Sequence, residues 1–154
     1  MLQLHAQEMK LQRKNMTMID FKIEVGISDQ RVKDLICSGF EGGVGYWCQI
    51  MDFNNPHNEP VDFNHIDIPF VKDGAIICQA FVEADSQDED DYWLDEDGIR
   101  LPLLKLDKAA CQRGLSIMQA KYPRHFSDFL AENDDADTGD VFIQCALLGE
   151  IIYG

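Results

Sequence analysis

The spacing of apolar and polar positions changes along the chain from a period of two residues to a helical period. Over residues 19–26, apolar side chains alternate with charged ones, a pattern that predicts a half-buried β-strand. From Ser28 onward the apolar residues recur at helical spacing. We expect a helix here, with Ser28 as its N-cap and with Gly42 and Gly43 ending it in the left-handed conformation.

The middle of the chain is predicted to be rich in β-structure. Residues 44–53 are aromatic and β-favouring, and residues 75–84 form an apolar run typical of a buried strand. Between them, "IDIPF" at 66–70 is expected to form a short edge strand. Residues 92–104 predict a hairpin that turns at residues 95–98.

The last third of the chain is predicted to be helical. Asp107 caps the first expected helix. Pro123 either stops that helix or opens the second, which has Leu130 among its inward-facing residues. Thr138 is expected to cap the third helix, whose apolar face extends to Ile152. Because strands and helices are segregated along the chain, we expect an α+β fold with a mainly antiparallel sheet and helices packed on one face.

Residues 1–17 are polar and weakly basic and precede the first patterned segment. We expect them to be an N-terminal extension, either disordered or a marginal helix, ahead of a single domain at 18–154. Met16 and Met18 are both candidate start residues. The sequence contains neither the run of about 18 apolar residues that spans a membrane nor the apolar core of a secretory signal, so a cytoplasmic protein is expected.

Charge and cysteine content restrict the partners and cofactors. The formal net charge of −15 repels nucleic-acid phosphates and anionic membranes and attracts basic proteins. We therefore expect no direct nucleic-acid binding. The five cysteines are widely spaced without a CxxC pair, which suits free thiols in a reducing compartment. Since no Cys or His residues have ligand spacing, neither a metal nor a cofactor is predicted.

Two acidic stretches, residues 83–97 and residues 134–140, are candidates for partner binding. Residues 83–97 contain nine carboxylates and no cation, but their order does not match a calcium loop. One interpretation is a solvated loop, and the other is a surface that a basic protein recognises, in the manner of a phosphate backbone. The candidate partner-binding residues are Asp88, Glu89, Asp90, Asp91, Tyr92, Trp93, Asp134, Asp135 and Asp137.

Two short strings are candidates for ligand binding. "FEGGVGYW" at 40–47 is either a helix end followed by a strand or the floor of a pocket, and its two adjacent aromatics are expected on opposite sheet faces. "KYPRHF" at 121–126 places two cations in a first helical turn, where an anion is favoured. Alternatively, these cations pair with Asp128, Glu132 or Asp134. The candidate ligand-binding residues are Glu41, Tyr46, Trp47, Arg124 and His125.

These strings also carry a resemblance. "FEGGVGYW" and the block "YPRHF…TGD…Q…GE…YG", with the strand–helix opening, resemble a family of small uncharacterised phage and prophage proteins. The resemblance covers residues 18–154 and is strongest at 40–47 and 121–154. It implies a phage or prophage gene expressed in a bacterial cytoplasm, and it brings no activity. Residues 1–17 fall outside it.

Three functional hypotheses follow. The first is a non-enzymatic accessory protein that binds and inhibits a host protein, such as an anti-phage defence component or a nucleic-acid-binding protein. The second is a binder or enzyme for a nucleotide-like anion that uses the EGGVGYW turn with Arg124 and His125. The third is a virion or assembly component. Because no nucleophile elbow or triad is present in the sequence, no catalytic residue is predicted.

Overall fold

The computed structural model describes residues 17–61, 65–81, 92–94, 96–98 and 100–154, with the backbone alone at 65, 92–94 and 100–102. In the described residues, one α-helix comes first, the strands follow with a 3-10 helix among them, and three α-helices come last. The elements are α1 (Asp29–Gly42), β1 (Cys48–Asn54), a 3-10 helix (His65–Phe70), β2 (Ala75–Ala80), β3 (Tyr92–Leu94), β4 (Arg100–Leu106), α2 (Lys108–Lys121), α3 (Pro123–Leu130) and α4 (Ala136–Leu148).

The described strands form an antiparallel sheet in the order β1-β2-β4-β3. β2 is buried along its whole length and pairs with β1 on one side and β4 on the other. β1 lies at one edge of this sheet and β3 at the other, and the register of β1 with β2 shifts between Ile50 and Asp52. The predicted hairpin joins β3 to β4, and Gly98 in its turn has a φ of 79°, which glycine adopts without strain.

The helices pack close to one another around α4. A Cβ atom built at Gly139 would lie 2.7 Å from the Cα of Gly39, so these two glycines allow the backbones of α1 and α4 to touch. Gly114 does the same between α2 and α4, where an added Cβ would lie 2.8 Å from Ala146 Cβ. The core between these helices and the sheet includes Leu35, Ile76, Leu106, Met118, Phe129 and Phe142.

The predicted fold class is confirmed: an antiparallel sheet with helices packed against it. Two predicted N-caps are also confirmed. The hydroxyl of Ser28 accepts the N–H of Arg31 at 3.2 Å, and the carboxylate of Asp107 accepts the N–H of Ala110 at 2.8 Å. Both caps are local, so three or four residues of sequence are enough to identify them.

The strand predicted at 19–26 is wrong. These residues form no regular element, and every side chain over 17–26 is exposed. Ile19 is 89% exposed and Phe21 is 76% exposed. The alternation is present, but a strand also needs a neighbouring strand for its backbone hydrogen bonds, and the described part of the sheet supplies none here. We call residues 18–25 the exposed segment.

The edge strand predicted for "IDIPF" is also wrong, because the stretch belongs to the 3-10 helix His65–Phe70. It contains Pro69, which cannot donate a ladder hydrogen bond, and it buries Ile68. The strand expected from residue 44 begins only at Cys48, after a turn. The part of the run at 75–84 beyond Phe81 lies outside the described residues.

Several helix ends differ from expectation. Asp135, not Thr138, is the N-cap of α4, and the two form a reciprocal capping box. Gly149, with a φ of 81°, ends α4, so Ile152 leaves the helix and is 55% exposed. Leu130, predicted to face inward, is 44% exposed at the end of α3.

Gly42 and Gly43 lie at the end of α1, as predicted, but the reason for glycine at position 43 differs from the predicted one. Gly43 has a φ of −109°, which is not the left-handed conformation. A side chain at this position would collide with the carbonyl oxygen of Ala136. Glycine is required there for space between α1 and α4 rather than for backbone freedom.

Candidate functional site

A buried carboxylate on α4 joins the turn between α1 and β1 to the rest of the protein. Asp140 is 9% exposed. Its Oδ1 accepts the indole N–H of Trp47 at 2.8 Å and the amide N–H of Gln144 at 3.0 Å, and its Oδ2 accepts the hydroxyl of Tyr46 at 2.7 Å. We call these four residues the Asp140 network. Hydrogen bonds to both oxygens compensate for the removal of this carboxylate from water.

The Asp140 network also holds the segment that follows α4. Gln144 Oε1 accepts the backbone N–H groups of Ile152 and Tyr153 at 2.8 and 2.9 Å, and its Nε2 donates to the Tyr153 carbonyl at 3.1 Å. The ring of Tyr153 stacks on Trp47, with centroids 5.1 Å apart. The hydroxyl of Tyr122 accepts the N–H of Ile151 at 2.8 Å. Residues 151–153 are therefore part of the packed structure.

Tyr46 and Trp47 differ in exposure, as predicted, but not for the predicted reason. Trp47 is 1% exposed and Tyr46 is 55% exposed. Both lie in the turn before β1 rather than on opposite sheet faces, and both reach Asp140. Desolvation, together with the hydrogen bond to Asp140, raises the pKa of Tyr46 to about 12.

The two strings that carry the family resemblance therefore meet in space, through the Asp140 network. Trp47 comes from the first string, whereas Asp140, Gln144 and Tyr153 come from the second. Because the carboxylate oxygens are occupied by neighbouring side chains, we interpret the network as a structural link. Its hydrogen-bonding groups are directed at one another.

Arg124 and His125 lie on α3. Arg124 is exposed, while His125 is partly buried and its Nδ1 has no hydrogen-bond partner among the described residues. Two of the three carboxylates predicted as their partners, Glu132 and Asp134, instead pair with Arg31 from α1. Its guanidinium lies 2.8 Å from Asp134 and 4.0 Å from Glu132.

Arg31 is a residue that the sequence analysis missed. Its guanidinium donates to the carbonyl oxygen of Phe129 at 2.7 Å and lies 4.7 Å from the centroid of that ring. The hydrogen bond to Asp134 raises the pKa of Arg31. Arg31 and Asp134 are 103 positions apart in sequence, and no local pattern connects them.

The acidic residues proposed for partner binding have varied environments. Asp134 pairs with Arg31, and Asp135 caps α4 by accepting the N–H of Thr138 at 3.0 Å, a bond that lowers the pKa of Asp135. Asp137 is exposed in the first turn of α4. Residues 88–91 lie outside the described residues, and for Tyr92 and Trp93 the structure gives only the backbone of β3.

Glu41 lies at an apolar pocket of about 170 Å³, which we call the β1 pocket. Its walls come from α1, β1, β2 and the 3-10 helix. Cys37 is half-buried there, and desolvation followed by the hydrogen bond to Glu41 raises its pKa, so the thiol stays protonated at neutral pH. The other lining residues are Phe40, Ile50, Phe53, Ile66 and Ile76. The sequence analysis did not find this pocket because its lining comes from four separate segments.

The four other cysteines, Cys48, Cys78, Cys111 and Cys145, are buried free thiols. His57 pairs with Asp73 at 2.8 Å.

Within the described ranges, no group of three or more His, Cys, Asp or Glu side chains could hold a metal ion. Across the same part of the chain, the helices are too short or too polar to cross a bilayer.

Comparison of the chain with protein-family models, curated proteins and solved structures found no match. The resemblance to phage proteins therefore stays a prediction, and any function has to be argued from the chain's own surfaces.

Proposed function

We propose that this chain is a non-enzymatic, acidic accessory protein that binds and inhibits a host protein in the cytoplasm of a bacterial cell. The exposed segment carries this proposal. Its apolar residues are between about half and nine-tenths exposed, from Val25 at 49% to Ile19 at 89%. Several large exposed apolar side chains within one short stretch are a feature of protein-interaction surfaces.

The sequence pattern of the exposed segment suits binding to a sheet edge. Residues 17–28 are in no helix or strand, and the side chains alternate between apolar and charged. We expect a segment with this pattern to become extended on binding and to add a strand to another sheet, with its alternate side chains entering pockets. Ile19, Phe21 and Ile23 would then face the partner together.

Charge favours a basic partner. The net charge is −15, and several of the cations are already paired internally: Arg31 with Asp134, Lys33 with Asp67 and Lys108 with Asp29. The field outside the protein is therefore strongly negative, which accelerates association with a basic surface and makes it sensitive to salt. A host protein that normally binds nucleic acid has such a surface.

The test begins with the full chain immobilised and a bacterial lysate applied at low salt, followed by purification of the captured protein. Binding of that purified protein is then measured by calorimetry at 50 and 300 mM salt. We expect affinity to fall with salt, and the double variant Phe21→Ser/Ile23→Ser to bind at least tenfold more weakly. Ile152→Ser is the matched control, since it removes an equally apolar exposed side chain elsewhere.

Equal affinity for the double variant and the control would remove the exposed segment from the interface. Affinity that does not change with salt would contradict a basic partner. Inhibition is tested separately, by the activity of the purified host protein with increasing amounts of the wild-type chain and of the double variant.

A further inference from the structure

A groove lies between the end of the exposed segment and the end of α3, and we call it the α3 groove. Its volume is about 300 Å³, at the lower end of the range for clefts that bind small ligands. Its apolar walls are Val25, Ile27, Phe129 and Leu130. Because Val25 is 49% exposed and Leu130 is 44% exposed, the mouth of the groove is apolar and can be reached from outside.

A carboxylate lies at this mouth. Glu132 belongs to the lining of the groove, and its side chain is 76% exposed. Its Oε1 lies 4.0 Å from Nε of Arg31, whereas Nη2 of Arg31 lies 2.8 Å from Asp134. An exposed ion pair as long as the first one contributes little to stability. Glu132 therefore retains acceptor capacity for a second cation.

The backbone at Glu132 is unusual for this residue type. α3 ends in a Schellman motif, in which the N–H of Glu132 donates to the carbonyl of Phe129 at 3.2 Å and the N–H of Asn133 donates to that of Asp128 at 2.8 Å. Glu132 takes the left-handed position with a φ of 58°, where glycine is usual because a Cβ atom is strained. Strained conformations cluster at binding sites, so this glutamate is a candidate binding residue.

The charge around the groove favours a cation as its occupant. The hydrogen bond to Asp134, together with the negative charges of Asp134, Glu132 and Asp34, raises the pKa of Arg31. Three carboxylates therefore face one guanidinium, which leaves two negative charges uncompensated. A second cation that approaches Glu132 is attracted by this excess.

The other charges close to the groove do not reverse this sign. On the exposed segment, Lys22 lies between Asp20 and Glu24, so this stretch is also negative. On α3, Arg124 and Asp128 carry opposite charges. The partial positive charge at the start of α1 is opposed by the partial negative charge at the end of α3, since both helix ends lie at the groove.

We infer that the α3 groove binds one arginine side chain of the basic host protein, beside the exposed segment, so this inference rests on the proposed function. Val25 belongs to both surfaces, which makes them continuous. The aliphatic stem of the arginine packs on Val25 and Leu130, and its guanidinium forms two parallel hydrogen bonds with the carboxylate of Glu132. Arginine fits better than lysine, because its planar fork matches a carboxylate and is more weakly hydrated.

The first test needs no host protein. The full chain, labelled with ¹⁵N, is titrated with acetyl-arginine amide at low salt, and backbone amide signals are followed by NMR. We expect a saturable shift of the signals of Ile27, Leu130 and Glu132. Acetyl-lysine amide is expected to bind at least threefold more weakly, and acetyl-citrulline amide, which has nearly the same shape without the charge, at least tenfold more weakly.

Two glutamate variants separate the groove from the general negative charge. Glu132→Gln is expected to weaken binding of acetyl-arginine amide at least fivefold. Glu150→Gln is the matched control, because it removes the charge of another exposed glutamate, and it should leave the affinity unchanged. Equal affinities for the two variants, or shifts spread over the acidic surface without saturation at the groove, would overturn the inference.

Stability distinguishes a binding role of Glu132 from a structural one. Glu132→Gly relieves the strain of the left-handed position, so we expect its melting temperature to rise by about 2 °C while binding of acetyl-arginine amide is lost. A lower melting temperature for Glu132→Gly would show that the glutamate serves the fold through Arg31. That result would overturn the interpretation of Glu132 as a binding residue.

The same variants, tested on the captured host protein, separate this inference from the proposed function. We expect Glu132→Gln to bind the host protein at least fivefold more weakly than Glu150→Gln does. If those two variants bind equally while Phe21→Ser/Ile23→Ser still binds weakly, the groove is not part of the interface and the proposed function stands. If Phe21→Ser/Ile23→Ser binds the host protein as tightly as the wild-type chain, the proposed function fails even though the groove binds arginine.

Discussion

Tyr153 stacks on Trp47 with an angle of 11° between the ring planes, although the two residues lie in different thirds of the chain. The indole N–H of Trp47 donates a hydrogen bond to Asp140 on α4. The indole therefore connects α4, the turn before β1 and the segment after α4. The solvent exposure of this indole therefore depends on whether all three segments are packed around it.

Replacing Tyr153 by Ala is expected to lower the free energy of unfolding by about 2 kcal/mol, since it removes a stacked aromatic pair and part of its buried area. The fluorescence of Trp47 should shift to longer wavelength as water reaches the indole. The measurement uses a Trp93→Phe background, so that all tryptophan fluorescence comes from Trp47. Tyr153→Phe keeps the stack and should leave the spectrum unchanged; a shift in this control would assign the effect to the hydroxyl.

Replacing Asp140 by Ala is expected to lower the free energy of unfolding by about 3 kcal/mol, because the buried indole N–H of Trp47 loses its acceptor. Urea unfolding followed by circular dichroism measures this loss. Asp137→Ala on the same helix removes an exposed carboxylate and should cost less than about 1 kcal/mol. Equal losses for the two variants would show that the Asp140 network contributes nothing beyond helix electrostatics.

The Tyr46 hydroxyl predicts a pH dependence on the alkaline side. Its folded-state pKa of about 12 lies above the value of about 10 for a tyrosine in an unfolded chain. The protonated form is therefore favoured by folding, so its stabilising contribution is complete below about pH 10 and is lost as pH rises toward 12. Urea unfolding measures how much stability each chain loses between pH 9 and pH 11. We expect Tyr46→Phe to lose less than the wild-type chain, and equal losses would contradict a raised pKa for Tyr46.

The contact between α1 and α4 predicts a steric effect. Gly139→Ala would place a methyl group against the backbone of Gly39, and we expect it to lower the free energy of unfolding by about 2 to 3 kcal/mol through overpacking. Gly45→Ala is the matched control, because an added Cβ at Gly45 meets nothing within 4 Å. Thermal unfolding of both variants measures the effect. Equal melting temperatures would mean that α1 and α4 can move apart with little loss of stability.

The features that were predictable from sequence depend on neighbours a few residues apart. The caps Ser28 and Asp107 and the turn at Gly98 are examples, since each has its signal within a short window. The segregation of strands and helices was enough for the fold class. The strand predicted at 19–26 failed because alternation describes which side chains share a face, whereas strand formation needs a second chain segment beside it.

The candidate site depends on distant residues, and for that reason the sequence analysis did not assemble it. Trp47 and Asp140, which share a hydrogen bond, are 93 positions apart in sequence. The strings around both residues were recognised as distinctive, but Trp47 was placed in a predicted ligand site with Arg124 and His125, and Asp140 was given no role. A buried Asp on an otherwise apolar helix was the available signal, because such a carboxylate requires hydrogen-bond donors from elsewhere in the fold.

The pairing of Arg31 with Asp134 across 103 positions also has a consequence for synthesis on the ribosome. α1 is synthesised long before α4, so its buried face must wait for the helix that packs against it. Contacts of such long range form late and slowly, and a nascent chain in this state exposes unpaired strand edges to its neighbours. Translation speed between β4 and α4, and the holdase chaperones that bind emerging chains, should therefore affect the yield of this protein more strongly than they affect the stability of the finished molecule.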